Sequence, residues 1–452
     1  MYRKILPFLI ASFFFLSASA QNELSLQLMP ELLQSTKMNP ALAPKEKLVI
    51  SLPGIFGNYY HNVGSVGELL QSISDSTVRL NVDALLENLM DENTLRINQE
   101  FENLHVSYRL NDKVTLSLHQ ASKSSNYLFY PESLPRLFLQ GNSQFIDQEI
   151  AFGPDQHTIA YNEIGLGTAL SFGKLQIGAK VKLLLGVGDI STERTDVSLY
   201  TDPDVYQLTI NSDYLINSSS FSEVLLFDTL SGYNIEYSWR EMIQFKNFTT
   251  KNRGYALDLG MNYEVSDRLS IGASILDLGK INWKNDVVNY TSKGSNTFSG
   301  LDLKGALTGD SLSITSSIDT VRNIFDFQTS INNYETKIPT RVYMNATYKL
   351  NNKVQLAATV NNEFYRGRNF FAFGLGAHYT LNKNFSAGLT YSVRNNAYFN
   401  IGLNLIARKG PVQFFLATDN IAVAVQPYGT NNINARVGLN LVFDELKKQE
   451  KK

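Results

Sequence analysis

The chain has 452 residues, a formal net charge of −2, no cysteine, and aromatics skewed to Phe (27) and Tyr (23) over Trp (2). The balanced charge excludes a global basic field for nucleic acid or anionic lipid. The missing thiols exclude disulfides, thiolate metal sites and a lipoprotein anchor. A mean hydropathy of −0.15 fits a soluble protein and equally a membrane barrel, in which only alternate strand residues meet lipid.

Residues 1–20 carry Arg3 and Lys4, an apolar run over 5–16, and Ala18-Ser19-Ala20 ahead of Gln21. This is the pattern of a cleaved secretory signal peptide. The apolar run is short of the ~20 residues a spanning helix needs. Residues 21–46 are polar, with a short helical stretch expected around 23–34 and then Met38-Asn39-Pro40-Ala41. That is too little for a separate domain.

From residue 47 the chain reads as strands of period two. Residues 341–350 put Val342, Met344, Ala346, Tyr348 and Leu350 on one face and Arg341, Tyr343, Asn345, Thr347 and Lys349 on the other. After Asn351-Asn352 the alternation resumes with Val354, Leu356, Ala358 and Val360, which makes a hairpin. In chain order the expected strands are 47–60, 104–110, 114–120, 158–172, 175–186, 255–265 and 269–278. The remainder are 341–350, 353–362, 370–380, 385–393, 397–407, 412–419 and 434–443, about fourteen in all, an even number as single-chain bacterial barrels require.

Short turns such as Asn111-Asp112-Lys113, Gly173-Lys174 and Asn382-Lys383-Asn384 fall at one parity and face the periplasm in this reading. Long connections at 62–103, 121–157, 187–254 and 279–340 are expected on the outer side, and 444–452 is a charged periplasmic tail. Alternation alone also fits a soluble secreted β-protein with its apolar face inward. Three features favour the inverted arrangement: charge and Gly in mid-strand (Gly178, Lys180 and Lys182 opposite Ile177, Ala179 and Val181), turns of one parity, and the secretion signal. The expected fold is all-β, a transmembrane antiparallel up-and-down barrel of about fourteen strands over 47–443 in the outer membrane of a Gram-negative bacterium. Its partners are then outer-membrane lipid and, during insertion, the barrel-assembly machinery.

A barrel of this width has room for an internal plug. Asn39-Pro40-Ala41 after a short helical segment, ahead of such a barrel, resembles the FadL-like superfamily of hydrophobic-compound transporters and the related PorV-type barrel of protein secretion. Ala417-Thr418-Asp419-Asn420-Ile421 and Arg436-Val437-Gly438-Leu439-Asn440 also look like uncharacterised outer-membrane barrels of Bacteroidota-type genomes. The last strand ends in Phe443 and resembles the C-terminal insertion signal of such barrels, displaced from the terminus by the tail. The FadL-like resemblance implies capture of an apolar molecule at the outer loops, an N-terminal hatch at Asn39, Pro40 and Ala41, and lateral exit into the membrane. The PorV-like one implies a non-transporting scaffold or shuttle with secretion-system proteins as partners.

For the ligand, helical spacing of Val82, Leu85, Leu86, Leu89 and Met90, preceded by Leu69, Leu70 and Ile73, marks a candidate apolar groove in an outer loop. The bland alternative is two helices that pack together and close the mouth. Residues 134–138 and 221–230 are further apolar loop pieces. Polar positions expected to line the lumen are His105, Arg109, His119, Lys180, Lys182, Asp258, Glu264, Lys349, His378 and Arg436. Neither a zinc spacing, a Walker loop nor a nucleophile elbow is present. His105/Ser107 and His119/Ser117 share strand parity, but residues two apart on a strand stand about 7 Å from each other, too far for acyl transfer. The expectation is therefore no enzyme, no cofactor and no metal.

Overall fold

The computed structural model describes residues 23–74, 77–220, 244–298, 324–394, 397–422, 426 and 429–443. The segment expected to be a signal peptide, the 221–230 apolar piece and the charged stretch 444–452 lie outside them. In chain order come β1 (Leu48–Ser51), β2 (Gly54–His61), helix α1 (Val66–Leu69), the hairpin β3 (Leu70–Ser74) and β4 (Thr77–Leu80), and helix α2 (Val82–Glu87). Then follow β5 (Glu92–Arg109), β6 (Val114–Pro131), helix α3 (Ser133–Gln140), β7 (Glu149–Ala151), β8 (Asp155–Phe172), β9 (Leu175–Thr201) and β10 (Leu208–Ser219). The middle carries β11 (Arg253–Glu264), β12 (Leu269–Trp283), β13 (Val287–Phe298), β14 (Gln328–Ser330), β15 (Tyr334–Lys337) and β16 (Thr340–Lys349). Last are β17 (Val354–Tyr365), β18 (Arg368–Asn382), β19 (Phe385–Arg394), β20 (Ala397–Lys409), β21 (Val412–Thr418) and β22 (Asn432–Phe443).

Antiparallel pairing runs from β2 through β5, β6, β8, β9, β11, β12 and β16, then strand by strand to β22, which returns to β1 and β2. With β1 and β2 as one interrupted strand, this is a closed barrel of 14 strands. Closure satisfies every wall position without an edge, which is what a sheet in lipid requires. The interruption has a cause. Ser51 pairs with Asn440 and Ile55 with Val437, four steps against three, so one residue bulges where Pro53 has no N–H to give.

The face assignment follows the sequence pattern. On β17, Leu356 and Phe364 are exposed, while Ala357, Thr359, Asn361 and Glu363 are buried. Leu439 is likewise exposed, and Val342 and Leu403 sit on the outer, part-exposed face. Apolar side chains therefore point away from the axis. At the short-turn end Tyr108, Phe172, Tyr263, Tyr348, Tyr379 and Phe385 are all exposed, an aromatic girdle of the kind that marks a membrane interface. Among the described residues no helix is long and apolar enough to cross a bilayer.

All fourteen expected strands are present, but several run further at the long-loop end. The stretches 92–103, 121–131, 187–201, 208–219 and 287–298, read as connections from the sequence, are strand. Within β9 the alternation lapses at Thr192-Glu193-Arg194-Thr195-Asp196, which is polar throughout, whereas Val197 and Leu199 of β9 and Leu208, Ile210, Tyr214 and Ile216 of β10 do alternate and turn their apolar side chains to a cluster of their own. Past the barrel rim β9 continues into an outer sheet with β7, β10, β13 and β14. Its apolar cluster includes Phe152, Val197, Ile210, Tyr214 and Ile216, against which Leu134 and Leu137 of α3 pack.

Candidate functional site inside the barrel

Residues 23–42 run through the lumen in two 3-10 turns, Ser25–Leu28 and Leu33–Lys37, where a short helical stretch around 23–34 is expected from the sequence. They are packed against wall residues from both sides of the chain. Leu26, Met29, Leu32 and Met38 form a cluster with Leu276, Tyr343 and Phe415. Close approach is made by glycine: a Cβ at Gly178 would strike the Pro40 backbone, one at Gly260 the Asn39 side chain, and one at Gly376 the Leu28 side chain. Asn39 itself is pinned, its Nδ2 donating to the Met261 carbonyl at 2.9 Å and its Oδ1 accepting from the Ala41 N–H at 2.9 Å.

Polar anchors reinforce this packing at three points. Asp419 accepts from the Leu24 N–H at 3.0 Å and the Ser25 N–H at 2.8 Å, and is itself paired to Arg394. Arg436 pairs with Glu23 and, at 3.1 Å, with Glu100. Lys37 reaches Glu100 at 2.6 Å and Glu102 at 2.7 Å. Buried charge of this kind is tolerable only when paired.

The ion pairs continue round the wall. His119 Nε2 lies 2.5 Å from Glu163, which Lys123 also meets at 2.9 Å. Lys182 bridges Asp258 at 2.7 Å and Asp277 at 2.5 Å, and Arg341 closes on Asp277. Asp277 holds a left-handed backbone, φ 61°, at the point where β12 shifts register against β11. Arg96 pairs with Glu363 at 2.6 Å and stacks over the Tyr127 and Phe370 rings, part of an aromatic cluster with Phe129, Tyr365 and Leu24.

Of the lumen positions expected from sequence, His105, His119, Lys180, Lys182, Asp258, His378 and Arg436 are buried inside. Arg109, Glu264 and Lys349 instead occupy strand ends open to water, where Arg109 meets the turn residue Asp112 at 2.9 Å. Neither imidazole of the His/Ser pairs hydrogen-bonds a serine: His119 turns Nε2 to Glu163, and His105 turns Nδ1 to the Glu102 carboxylate at 3.5 Å. Among the described residues no group of three or more His, Asp or Glu is placed to hold a metal.

The outer-loop groove is only partly as expected. Leu85, Leu86 and Leu89 lie on or beside α2, with Leu86 buried and Met90 exposed, but Leu70 and Ile73 are on the β3–β4 hairpin, not on a helix. Leu69, at the end of α1, is half-buried. Sequence reasoning missed Glu23, Arg96, Glu100, Asp277, Arg341, Glu363, Arg394 and Asp419. The signal that points to the seat is glycine at inward positions of mid-strand, at Gly178, Gly260 and Gly376.

The closed barrel with an apolar exterior is a membrane-type β-barrel, and over residues 40–419 the chain matches the Family of unknown function (DUF5723). It belongs to that family. No curated protein matches it in sequence. Solved structures similar in outline include the Ralstonia pickettii toluene transporter TbuX, at 10% identity over 94% of this chain and 97% of that one, TM-score 0.36. Two others are the P. putida toluene transporter TodX (10%, 90% and 93%, 0.39) and a Pseudomonas aeruginosa FadL homologue (11%, 95% and 100%, 0.40). At these scores the likeness is one of outline, and the fold assignment rests on the strand pairing above.

Proposed function

We propose that the protein is a Gram-negative outer-membrane barrel that binds hydrophobic small molecules at its outer end, with residues 23–41 as an internal hatch seated through Asn39, Pro40 and Ala41. The observation that carries this reading is the apolar surface of the outer sheet. Leu134 and Leu137 of α3, with Ile150, Phe325 and Phe327, stay only partly buried over the cluster on β9 and β10. Such a surface suits an apolar ligand, whose burial stabilises by about 25 cal/mol per Å². Leu69, Leu70, Ile73, Leu85, Leu86, Leu89 and Met90 belong to a neighbouring part of the same mouth in this reading. Mass spectrometry of apolar molecules retained by the purified protein tests the reading, with Leu137→Asp as the comparison. Retention in the native chain and loss in the variant is the expected result; an empty native chain sinks it.

A second reading, a PorV-like non-transporting scaffold or shuttle for secreted proteins, is favoured by the tight fixing of residues 23–42 in the lumen. A stoichiometric protein partner after mild crosslinking, with no apolar molecule retained, selects it.

A further inference from the structure

Every short turn of the barrel carries an exposed base: Lys113, Lys174, Arg268, Lys353, Lys383 and Lys409. The turns are built without them. Asn111 Oδ1 accepts from the Lys113 and Val114 N–H groups, Asn351 Oδ1 from those of Lys353 and Val354, and Asn382 Oδ1 from those of Asn384 and Phe385. Ser266 Oγ does the same for Arg268 and Leu269. In the other two turns Gly173 and Gly410 supply the left-handed backbone, φ 62° and 59°. The fold therefore uses the Asn, Ser or Gly of each turn and leaves the basic side chain unused. Among the described residues none of the six bases has an ion-pair partner.

Acids at this end are few and mostly taken. Asp112 meets Arg109 at 2.9 Å, Glu46 meets Arg408 at 3.8 Å and Glu31 meets Lys45 at 3.5 Å, which leaves Glu264 and Asp267. Lys47 and Lys349 add to the basic excess. The net charge of −2 hides it, because acids such as Glu149, Asp196, Asp202 and Asp204 stand at the long-loop end.

We propose that this basic ring binds anionic phospholipid headgroups of the leaflet that meets the short-turn end, the periplasmic one in the orientation argued above. The inference goes beyond the capture of apolar molecules at the outer sheet and does not rest on it. Depth is the first argument. The exposed girdle that includes Tyr108, Phe172, Tyr263, Tyr348 and Tyr379 marks the hydrocarbon boundary, and each base lies within five positions of an exposed aromatic, Phe414 serving for Lys409. The headgroup layer beyond that boundary is roughly 5–8 Å deep, within reach of a Lys or Arg side chain whose stem lies along apolar neighbours such as Leu110, Leu350 and Leu381.

Distribution is the second argument. Successive hairpins set the bases about 10 Å apart round the perimeter, two strand spacings, so they form a ring and not a patch. A protein partner docks on one sector, whereas charge on every hairpin is met only by the solvent that surrounds the barrel, which at this depth is headgroup. Neighbouring bases stand about one Debye length apart and repel, and phosphates between them relieve that repulsion. Charge then selects the lipid. A zwitterionic headgroup brings an ammonium with its phosphate, while an anionic one carries no such compensation, and a base beside an anionic leaflet gains about fivefold in association.

The test reconstitutes the full mature chain in vesicles of phosphatidylcholine and measures, by electron spin resonance, how strongly spin-labelled phosphatidylglycerol and phosphatidylcholine are immobilised at the barrel. At 0.1 M salt phosphatidylglycerol is preferred about threefold or more, and at 1 M salt the preference falls below about 1.5-fold. Replacing the six bases together by Gln abolishes the preference at low salt while the barrel keeps its heat-modifiable gel migration. Should that variant fail to fold, Lys113→Gln with Lys174→Gln and Arg268→Gln, and separately Lys353→Gln with Lys383→Gln and Lys409→Gln, each lower it by about half. Gln at Arg79, Lys246, Lys251 and Lys284, exposed bases of the long-loop end, leaves it in place. Equal immobilisation of the two lipids by the native barrel overturns the proposal, as does a preference that the turn variants leave unchanged. Binding to isolated peptidoglycan that those variants abolish, with no lipid preference, also overturns it, since the ring then serves another polyanion. Leu137→Asp separates the two proposals: it removes apolar retention at the outer sheet and leaves the lipid preference intact.

Discussion

Removing the Arg436 guanidinium is the sharpest test of how the internal segment is held. Arg436 is buried and serves both Glu23 and Glu100, but Glu100 keeps Lys37 at 2.6 Å when the arginine is gone. Glu23 has no such second cation among the ion pairs described. Arg436→Gln therefore leaves one carboxylate buried without its partner, a loss of about 3–5 kcal/mol by comparison with other broken buried pairs. The segment lowers that cost by moving Glu23 to water, so the penalty appears as easier local opening. Lys37 gives the readout: it is about one-tenth exposed in place, whereas Lys45 is 79% exposed. When opening is fast relative to cutting, trypsin cleavage at Lys37 follows the open population. An increase of about 150-fold corresponds to the lower figure of about 3 kcal/mol. Cleavage at Lys45 serves as the internal control and stays unchanged. Adding Glu23→Gln should recover most of the protection, because the stranded charge is then gone. A Lys37 rate within threefold of the native chain in Arg436→Gln would refute the reasoning.

Other expectations follow from the same geometry. Gly178→Leu drives a side chain into the Pro40 backbone and costs about 1–3 kcal/mol by overpacking, seen as faster Lys37 cleavage with the gel shift of the barrel retained. Leu356→Arg sets a charge on the lipid face and lowers stability by roughly 2–4 kcal/mol if that position lies at the bilayer midplane, measured by refolding into vesicles against denaturant. Trp283 is wholly buried, and its Nε1 donates to Thr336 Oγ1 at 3.1 Å. Trp283→Ala should cost about 3–5 kcal/mol in the same assay, whereas unchanged stability would show that the upper wall packs differently.

The fourteen wall strands were legible because lipid enforces a rule on the outer face. Val342, Leu356 and Leu439 must be apolar, and the residues between them need only suit a polar interior. The extension of β9 above the rim was not legible across Thr192 to Asp196, which carry no alternation. The candidate site divides the same way. His119, Lys182 and Arg436 were readable as inward by parity, but their partners were not: Glu23 and Arg436 are 413 residues apart, and nothing local to either names the other. Asp419, which accepts two backbone N–H groups from the segment, sits in a stretch that reads as a strand end.

Period-two hydrophobicity and turn parity thus point, from the sequence alone, to a barrel with its oily face outward. Where the chain's first ordered residues go and which ions pair are decided only by closure of the barrel. The reason is that alternation is a local response to two solvents, while a lumen is made by bringing strands distant in sequence to face one another.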